Sequence, residues 1–478
     1  MTSRAAAVIA VVLSLAALPA ARQTPDRSKP PEPGLPPPLT LPPIARHTLS
    51  NGLPVWIVGM HEVPVVDISL VVKAGAAADP AGKFGAAHFT AAMLDEGAGT
   101  RGALELADAI DFLGASLSTG SSFDASTVRL HTPVSKLDDA LPLLADVALR
   151  PTFPESELER LRKERLTSLL QTRDSPPALA SAAFARLIFG PRHRYGTLAM
   201  GNEASNGEMS LADLKTFYAI YYQPQHAHLL VVGDVQAAAL LPKLEQAFGG
   251  WKNSGNTPPP VLPPAAQHGD RQIYLIDKPG AAQSQIRIGW VGVSRSTPDY
   301  YLLDVLNTVL GGSFSSRLNQ NLREEHGYAY GAGSFFDMRR SAGPFVASAG
   351  VQSDKTVESL REFFTELEGI REPIPVAELA RAKNLQALSF PGTFETTAGM
   401  AGNLIDLIVY NLPDSFLTEY VQKIQAVTAK EVQRAAAQYV QPDNFAVVVV
   451  GDLASIETPV REAKLGPVRV VTPDEILK

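Results

Sequence analysis

The spacing of apolar and polar residues alternates between two periods, which predicts both strands and helices. Short apolar or alternating runs predict strands at 47–58, 65–73, 116–132 and 228–234. The first run contains Asn51-Gly52, a strong signal for a hairpin turn. Apolar residues at helical spacing predict helices at 84–96, 104–113, 136–150, 155–171, 178–189 and 211–221.

Matching segments in the two halves of the chain indicate an internal duplication. One set of residues in the first half, Tyr221, Pro224, Gly233 and Asp234, recurs in the second as Tyr439, Pro442, Gly451 and Asp452. An earlier set, Pro154, Glu157, Leu158 and Arg160, recurs in the same order as Pro375, Glu378, Leu379 and Arg381. We therefore expect an α+β fold of two homologous domains. Each would hold a largely antiparallel sheet with helices packed on one face.

A proline-rich segment separates the two halves. Residues 255–266 cannot form a helix or a central strand, because proline lacks the backbone N–H and clashes with the preceding turn. A hinge at this point favours a clamshell arrangement of the two domains. The predicted order is a signal peptide, a Pro-rich leader, an N-terminal domain, a linker and a C-terminal domain, at 1–21, 22–45, 46–254, 255–268 and 269–470.

The N-terminus has the layout of a secretory signal peptide. Arg4 precedes an apolar run over 5–18, and small residues follow, with cleavage expected after Ala20 or Ala21. A membrane anchor is the alternative, but a helix needs about 20 apolar residues to cross a bilayer. We expect a periplasmic or secreted protein without a membrane span in its mature form.

Composition excludes several classes of function. The net charge of −7 disfavours a nucleic-acid-binding surface. The chain has no cysteine, so it has no disulfide, no thiol nucleophile and no cysteine-based metal site.

The predicted helix at 84–96 carries an incomplete zinc motif. A helix with His-x-x-Glu-His presents two imidazoles and a carboxylate on one face, which can hold Zn²⁺ and activate a water. Here the first position is His88, but Ala91 and Ala92 stand at the Glu and second His positions. Ala91 removes the general base and Ala92 removes a ligand. We therefore expect no metal on this chain, and His88 is most simply a retained helix residue.

The most specific segment lies in the second half. It reads Leu-Asn-Thr-Val-Leu-Gly-Gly-Ser-Phe-Ser-Ser-Arg-Leu-Asn-Gln-Asn-Leu-Arg-Glu-Glu-His-Gly-Tyr-Ala-Tyr-Gly over 306–331. This segment resembles the C-terminal domain signature of the insulinase/pitrilysin-type zinc metallopeptidases, and most closely their bacterial and mitochondrial processing-peptidase branch. The resemblance extends over roughly residues 45–460. Gly311-Gly312 within the segment lacks the pattern of a phosphate-binding loop and predicts a helix-ending turn.

The resemblance implies a substrate-binding role for Arg323 and Tyr330. In that family an Arg and a Tyr seven residues later contact the substrate that is held at zinc. Arg323 and Tyr330 have this spacing. A guanidinium suits a peptide carbonyl, and a Tyr hydroxyl can donate to an oxyanion. The alternative is that Arg323 pairs on the surface with Glu324 or Glu325 and that Tyr330 is a strand aromatic.

The resemblance also implies a third zinc ligand, a Glu on a later helix. Counting from Ala92 leads to Ser168, with Glu164 one helical turn away on the same face. A shift of register would therefore restore one acid. His88 and Glu164 alone would still not make a catalytic zinc site.

Three functions remain open at this stage. The first is a non-catalytic, substrate-contacting subunit of an exported heterodimeric zinc metallopeptidase, whose homologous partner carries the zinc and the base. Peptide substrates would bind extended against a sheet edge, and the chain would be inactive alone. The second is a non-proteolytic structural or peptide-binding protein, like the core subunits of respiratory complexes. The third is a self-sufficient metallopeptidase with a rearranged site.

Overall fold

The structure is a computed structural model that describes residues 39–255, 257–267 and 269–477. The predicted signal peptide, and the predicted leader as far as residue 38, lie outside these residues. None of the described helices has the length and apolar character that crossing a membrane requires.

Two six-stranded sheets organise the described part of the chain, and a two-stranded ribbon joins β4 and β5. The strands are β1 Ala45–Thr48, β2 Pro54–Gly59, β3 Val65–Val72, β4 Gly97–Ala98, β5 Arg101–Gly102, β6 Ser116–Ser121, β7 Ser126–Pro133, β8 Ala227–Gly233, β9 Gln272–Asp277, β10 Gln283–Val291, β11 Ala329–Phe336, β12 Pro344–Gln352, β13 Ala446–Gly451 and β14 Val468–Val470. The first sheet has the order β1-β2-β8-β3-β7-β6, and the second has the order β11-β12-β10-β13-β9-β14.

The two sheets share one topology. In the first, β2 and β8 are parallel, while β3 is antiparallel to both β8 and β7 and β6 is antiparallel to β7. In the second, β9 and β13 are parallel, while β10 is antiparallel to both β13 and β12 and β11 is antiparallel to β12. Five strands of each sheet therefore pair in the same order and direction, which confirms the predicted α+β fold of two homologous, largely antiparallel halves.

The helices repeat with the same spacing as the sequence matches. They are α1 Ala86–Met93, α2 Ala103–Phe112, α3 Leu137–Leu149, α4 Glu155–Asp174, α5 Pro176–Phe189, α6 Glu203–Gly207, α7 Leu211–Tyr221, α8 Ala237–Phe248, α9 Tyr300–Leu310, α10 Arg317–Asn319, α11 Thr356–Gly369, α12 Val376–Ser389, α13 Thr397–Tyr410, α14 Ser415–Thr418, α15 Tyr420–Ala426, α16 Ala429–Tyr439, α17 Leu453–Glu462 and α18 Pro473–Leu477. The first and last residues of α13 follow those of α5 by the same number of positions as Pro375 follows Pro154. Helices α7 and α16 are related in the same way by the step from Tyr221 to Tyr439, the last residues of the two helices.

Helix α1 is shorter than the 84–96 that its pattern predicts. It begins after Gly85, whose φ of 99° is a left-handed conformation that favours glycine, and its last residue is Met93. A side chain on Gly85 would also meet the carbonyl oxygen of Met200 at 2.3 Å. The backbone therefore turns sharply into the helix that carries His88.

Each sheet is covered on its second face by a helix from the other half. The helices of each half cover one face of their own sheet, where they form two large apolar cores. Helix α5 packs on β10 and β13 of the second sheet, and α13 packs on β3 and β8 of the first. Neighbouring residues of β9 point to the two faces of the sheet. Ile273 belongs to the core of its own half, while Tyr274 lies in the apolar cluster that contains α5.

This exchange of helices was not foreseen from the sequence, which predicted helices on one face. Leu179 of α5 and Leu404 of α13 are at most 1% exposed, and each lies in an apolar cluster shared by both halves. Separating the halves would expose both clusters to water at a cost of roughly 25 cal/mol per Å². The halves are therefore joined by packing as well as by the linker.

The predicted linker is neither helix nor strand in its described residues, and it contacts the first half. The His193 ring donates from Nε2 to the carbonyl oxygen of Pro263 at 3.0 Å and accepts at Nδ1 from the backbone N–H of Tyr195. Leu262 and Ala265 pack against the α5 cluster. The linker is thus held by contacts at Leu262, Pro263 and Ala265.

Candidate functional site

A buried ion pair holds the start of α1 in place. The Asp79 carboxylate accepts hydrogen bonds from the backbone N–H groups of Gly85 and Ala87, at 2.6 and 2.8 Å. Arg194 donates to the same carboxylate at 2.8 Å, and both side chains are almost wholly buried. A carboxylate at a helix N-terminus satisfies N–H groups that have no partner within the helix. The position of His88 on α1 is therefore well determined.

A buried guanidinium donates a hydrogen bond to His88, the one histidine that remains of the zinc motif. Arg165 of α4 is 5% exposed and donates from Nη1 to His88 Nδ1 at 2.7 Å. Its other nitrogens donate to Asn206 Oδ1 at 2.7 Å and to the carbonyl oxygen of Met200 at 2.8 Å. The guanidinium also stacks on Phe89, 4.5 Å from the ring centroid. Arg165 is thus fully engaged by the structure around it.

The electrostatics of this cluster oppose a metal ion. Burial, reinforced by the Arg165 charge, lowers the pKa of His88 to about 4, so the imidazole is neutral near pH 7. Burial lowers the pKa of Arg165 to about 10, so the guanidinium remains charged. The hydrogen bond uses the lone pair of His88 Nδ1, and the fixed positive charge would repel Zn²⁺. The residues present do not fit a zinc ion.

The other predicted zinc positions supply no metal ligand beside His88. Ala91 is buried in the core, and Ala92 packs against it. Glu164, the acid that a register shift was expected to supply, points to solvent and pairs with Arg160 at 2.7 Å. The Ser168 hydroxyl donates to the carbonyl oxygen of Glu164. In the described residues, no group of three or more His, Cys, Asp or Glu could hold a metal ion.

Arg165 is the residue that the sequence analysis missed, although the sequence carried a signal for it. Leu158, Leu161 and Arg165 are the buried residues of α4, and their spacing is that of one helical face. An arginine at a position where the helix period calls for an apolar residue indicates a buried, hydrogen-bonded cation.

The structure brings Arg323 and Tyr330 together on the surface of the second half. The Arg323 guanidinium lies between two exposed rings, 4.6 Å from the centroid of Phe314 and 5.4 Å from that of Tyr330. Tyr330 is 89% exposed and Phe314 is 65% exposed. Arg323 Nε also lies 3.5 Å from Glu324 Oε1, the contact expected from the alternative interpretation. We call Phe314, Arg323 and Tyr330 the stacked triad.

Two backbone irregularities position the stacked triad. Helix α10 continues as a π-helical turn over Gln320–Glu325, which carries Arg323. Strand β11 has a bulge between Ala329 and Ala332, opposite Val351 and Ala349 of β12. The extra residue re-aims the side chain of Tyr330, which lies within the bulge. Both irregularities are common at functional sites.

An open groove of about 580 Å³ adjoins the stacked triad. Its floor is the sheet surface, and many of its lining residues are glycines. The lining residues are Gln285, Arg287, Gly311, Gly312, Ser313, Phe314, Asn319, Gly331, Ala332, Gly333, Ser348, Ala349 and Gly350. The small side chains leave backbone atoms accessible to a ligand.

Gly311 and Gly312 form the helix-ending turn that the sequence predicted. Both backbone N–H groups donate to the carbonyl oxygen of Asn307 at the end of α9. A Cβ on Gly311 would lie 2.3 Å from the backbone nitrogen of Ser334, so only glycine fits. Asn319 then links the turn to the bulge, donating to the carbonyl oxygen of Phe314 and accepting from the N–H of Ala332.

Strand β11 forms one edge of the second sheet. In the described residues β12 is its only partner strand. An edge strand presents N–H and C=O groups that can pair with an added strand. An extended peptide could therefore bind along β11, next to the groove and the stacked triad.

Comparison with known proteins gives matches in both halves. The model described as "Insulinase (Peptidase family M16)" matches residues 56–187, and the model described as "Peptidase M16 inactive domain" matches residues 208–386. The chain is 27% identical to an uncharacterized zinc protease of Mycobacterium tuberculosis, over 85% of this chain and 92% of that protein. It is 26% identical to the zinc protease PqqE of Helicobacter pylori, over 82% of this chain and 89% of that protein.

Solved structures match over most of both chains. A structure from Pseudomonas fluorescens, described as a peptidase M16 inactive domain, has a TM-score of 0.79 and 26% identity, covering 86% of this chain and 98% of its own. A protease from Helicobacter pylori has a TM-score of 0.80 and 25% identity, covering 86% and 100%. A chain of complex III from Candida albicans has a TM-score of 0.72 at 15% identity, covering 88% and 100%, and shows the fold alone.

Proposed function

Because this chain belongs to the insulinase (M16) family of peptidases, we propose that it is the non-catalytic, substrate-contacting subunit of an exported heterodimeric zinc peptidase. A homologous partner chain would supply Zn²⁺ and the general base. This chain would supply Arg323 and Tyr330 to a composite site for peptides.

The observation that carries the proposal is the contrast between the two halves. In the first half, the zinc motif lacks its base and its second ligand, and Arg165 donates a hydrogen bond to the remaining His88. In the second half, Arg323 and Tyr330 are adjacent, accessible and beside a groove. A chain that had lost all peptidase function would have no need of an exposed Tyr330 within a strand bulge. This arrangement supports a division of roles between two chains.

The chemistry of the stacked triad suits peptide hydrolysis on a partner's metal. Zinc-bound water that attacks a peptide carbonyl creates an oxyanion, and a Tyr hydroxyl and a guanidinium can both donate to it. The rings of Phe314 and Tyr330 hold the Arg323 guanidinium by cation–π contact, which limits its rotamers. A positioned donor loses less entropy when the substrate binds.

The edge of the second sheet suits an extended substrate. Backbone pairing with β11 would give affinity for many peptide sequences, and the glycine-rich groove would admit backbone as well as side chains. The exchanged helices α5 and α13 join the two halves of this chain. A site that faces a second chain therefore fits the structure better than one formed by opening this chain.

Reconstitution tests the proposal. The chain would be produced alone and together with a homologous chain that carries an intact His-x-x-Glu-His motif. Cleavage of a fluorogenic peptide library and bound zinc would then be measured. We expect zinc only on the homologue, a stable complex, and cleavage that requires both chains.

The matched control is a complex in which the homologue's motif Glu is changed to Gln, which should be inactive. Stoichiometric zinc and cleavage by this chain alone would contradict the proposal and favour a self-sufficient peptidase. A stable complex whose cleavage rate equals that of the homologue alone would favour the non-proteolytic alternative.

A further inference from the structure

A second cavity lies in the second half, outside the groove and the stacked triad. It has a volume of about 470 Å³ and lies between α9, the C-terminal end of β11 and α13. Its polar lining is formed by Arg295, Tyr300, Asp304, Asn307, Asp337 and Asp406. Nothing in the peptide-binding proposal uses this cavity.

Arg295 is a buried cation that forms no close ion pair within the described residues. Its side chain lies between Tyr300 and Phe416, with the guanidinium carbon 4.0 and 4.3 Å from the two ring centroids, and the residue is 7% exposed. Its Nη1 is buried and finds no hydrogen-bond acceptor. In the described residues, no carboxylate lies within ion-pair distance. Aromatic faces compensate part of the lost hydration, but a buried guanidinium without an acceptor remains costly.

Asp406 is an anionic residue that lines the same cavity as Arg295. Its side chain is accessible from the cavity, and within the described part of the chain it accepts no hydrogen bond and forms no ion pair within 4 Å. Burial raises the pKa of Asp406, and the Arg295 charge opposes this. The other two carboxylates of the cavity are engaged, because Asp304 accepts from Tyr420 and Asp337 pairs with Arg339.

The cavity is beside the second-half counterpart of the His88 cluster. Gln386 of α12 is the counterpart of Arg165 of α4, because the step along the chain from Pro154 to Pro375 also leads from Arg165 to Gln386. It donates to Asp304 and Thr308 of α9, as Arg165 donates to His88 of α1. In the first half, the Arg165 guanidinium finds hydrogen-bond acceptors within the protein, whereas Arg295 Nη1 finds none.

We infer that this cavity binds a small zwitterion, either a free amino acid or a dipeptide with a large apolar side chain. The ligand carboxylate would accept from Arg295, and its ammonium group would donate to Asp406. The apolar side chain would lie against Phe335, Phe336 and Met338, which with Leu303 form the apolar part of the lining. Each unpaired charge of the cavity then gains a partner of opposite sign.

Calorimetric titration of the purified chain with four probes tests this inference. The probes are L-phenylalanine, alanyl-phenylalanine, N-acetyl-L-phenylalanine and L-phenylalaninamide. At least one zwitterion should bind, and blocking the amine or the carboxylate of phenylalanine should weaken binding roughly tenfold or more. The ratio of the phenylalanine and dipeptide affinities identifies which source of zwitterion fits.

Variants assign each contact to its residue. Arg295→Gln should bind phenylalanine no better than the wild type binds the amide, and Asp406→Asn should bind it no better than the wild type binds the N-acetyl compound. Arg361→Gln, an exposed change on α11, is the matched control and should bind as the wild type does. If Arg295→Gln fails to fold, Asp406→Asn decides the question, because the Asp406 side chain is accessible to solvent.

Three results would overturn the inference. One is equal binding of phenylalanine and both blocked analogues. Another is no binding of either zwitterion at millimolar concentration, and the third is wild-type affinity in folded Arg295→Gln and Asp406→Asn variants. Each would show that Arg295 is a purely structural cation held by its two rings.

Discussion

At the scale of single residues, the loss of the zinc motif was readable from the sequence. The helical spacing of Arg165 also signalled a buried cation, but not that this cation bonds to His88. The motif keeps His88, but its general base and second ligand are replaced by Ala91 and Ala92. The count to Ser168 and Glu164 was wrong as a guide to what faces His88, because a position in a sequence does not fix which side of α4 points inward. The residue that reaches His88 is Arg165, and its role depends on acceptors from three separate segments.

Removing the Arg165 guanidinium should destabilise the fold. Arg165→Met would leave His88 Nδ1, Asn206 Oδ1 and the Met200 carbonyl oxygen without their donor. We expect a loss of about 3 kcal/mol in the free energy of unfolding, measured by urea denaturation. The free energy of unfolding of Arg165→Lys should lie between those of the wild type and Arg165→Met, since an ammonium group cannot reach all three acceptors. Arg361→Met is the exposed control, and unchanged stability in Arg165→Met would refute this account.

His88 should make stability depend on pH in a defined window. Its pKa falls from 6.5 in the unfolded chain to about 4 in the fold, so the unfolded state binds the extra proton first as pH falls. The contribution of His88 is complete above about pH 6.5 and is lost progressively toward pH 4, by at most about 3 kcal/mol. His88→Asn, which keeps an acceptor for Arg165, should flatten this part of the profile. Superimposable profiles for His88→Asn and the wild type would contradict the prediction.

At the scale of elements, the sequence predicted six helices and the main sheet strands of the first half to within a few residues, and it gave no bounds for the elements of the second half. The spacing of apolar residues depends only on short stretches of chain, so it identifies individual helices and strands well. The π-helical turn at Gln320–Glu325 and the bulge in β11 were not predicted, because each inserts a single residue that leaves the apolar spacing nearly intact. Both irregularities shape the stacked triad, so the sequence identified Arg323 and Tyr330 only through a family resemblance.

Filling the groove should impair substrate binding without harming the fold. A Cβ on Gly331 would meet only Asn319 Oδ1, at 3.8 Å, so Gly331→Val has space. We expect an unchanged melting temperature and at least a tenfold rise in KM for the reconstituted complex. Gly120→Val is the matched control, because Gly120 lies on β6 at the edge of the first sheet and also has no atom within 4 Å of its Cβ. Equal kinetics for the two variants would exclude the groove as the peptide site.

At the scale of the whole molecule, the duplication was readable from matched segments, whereas the exchange of α5 and α13 was not. Both helices are apolar by sequence, but no local pattern says which of two similar sheets a helix covers. The exchange ties the halves into one unit, so the accessible edge at β11 and the stacked triad face outward from it. This arrangement, together with the hydrogen bond from Arg165 to His88, supports the proposed composite site shared with a second chain.

The most direct test of this account is the kinetics of the reconstituted complex with Arg323→Ala/Tyr330→Phe in this chain. The complex should assemble and keep its zinc, while kcat/KM falls roughly 100-fold or more because two donors to the oxyanion are lost. Arg361→Ala in the same chain should leave the rate unchanged. A wild-type rate in the double variant would contradict the account.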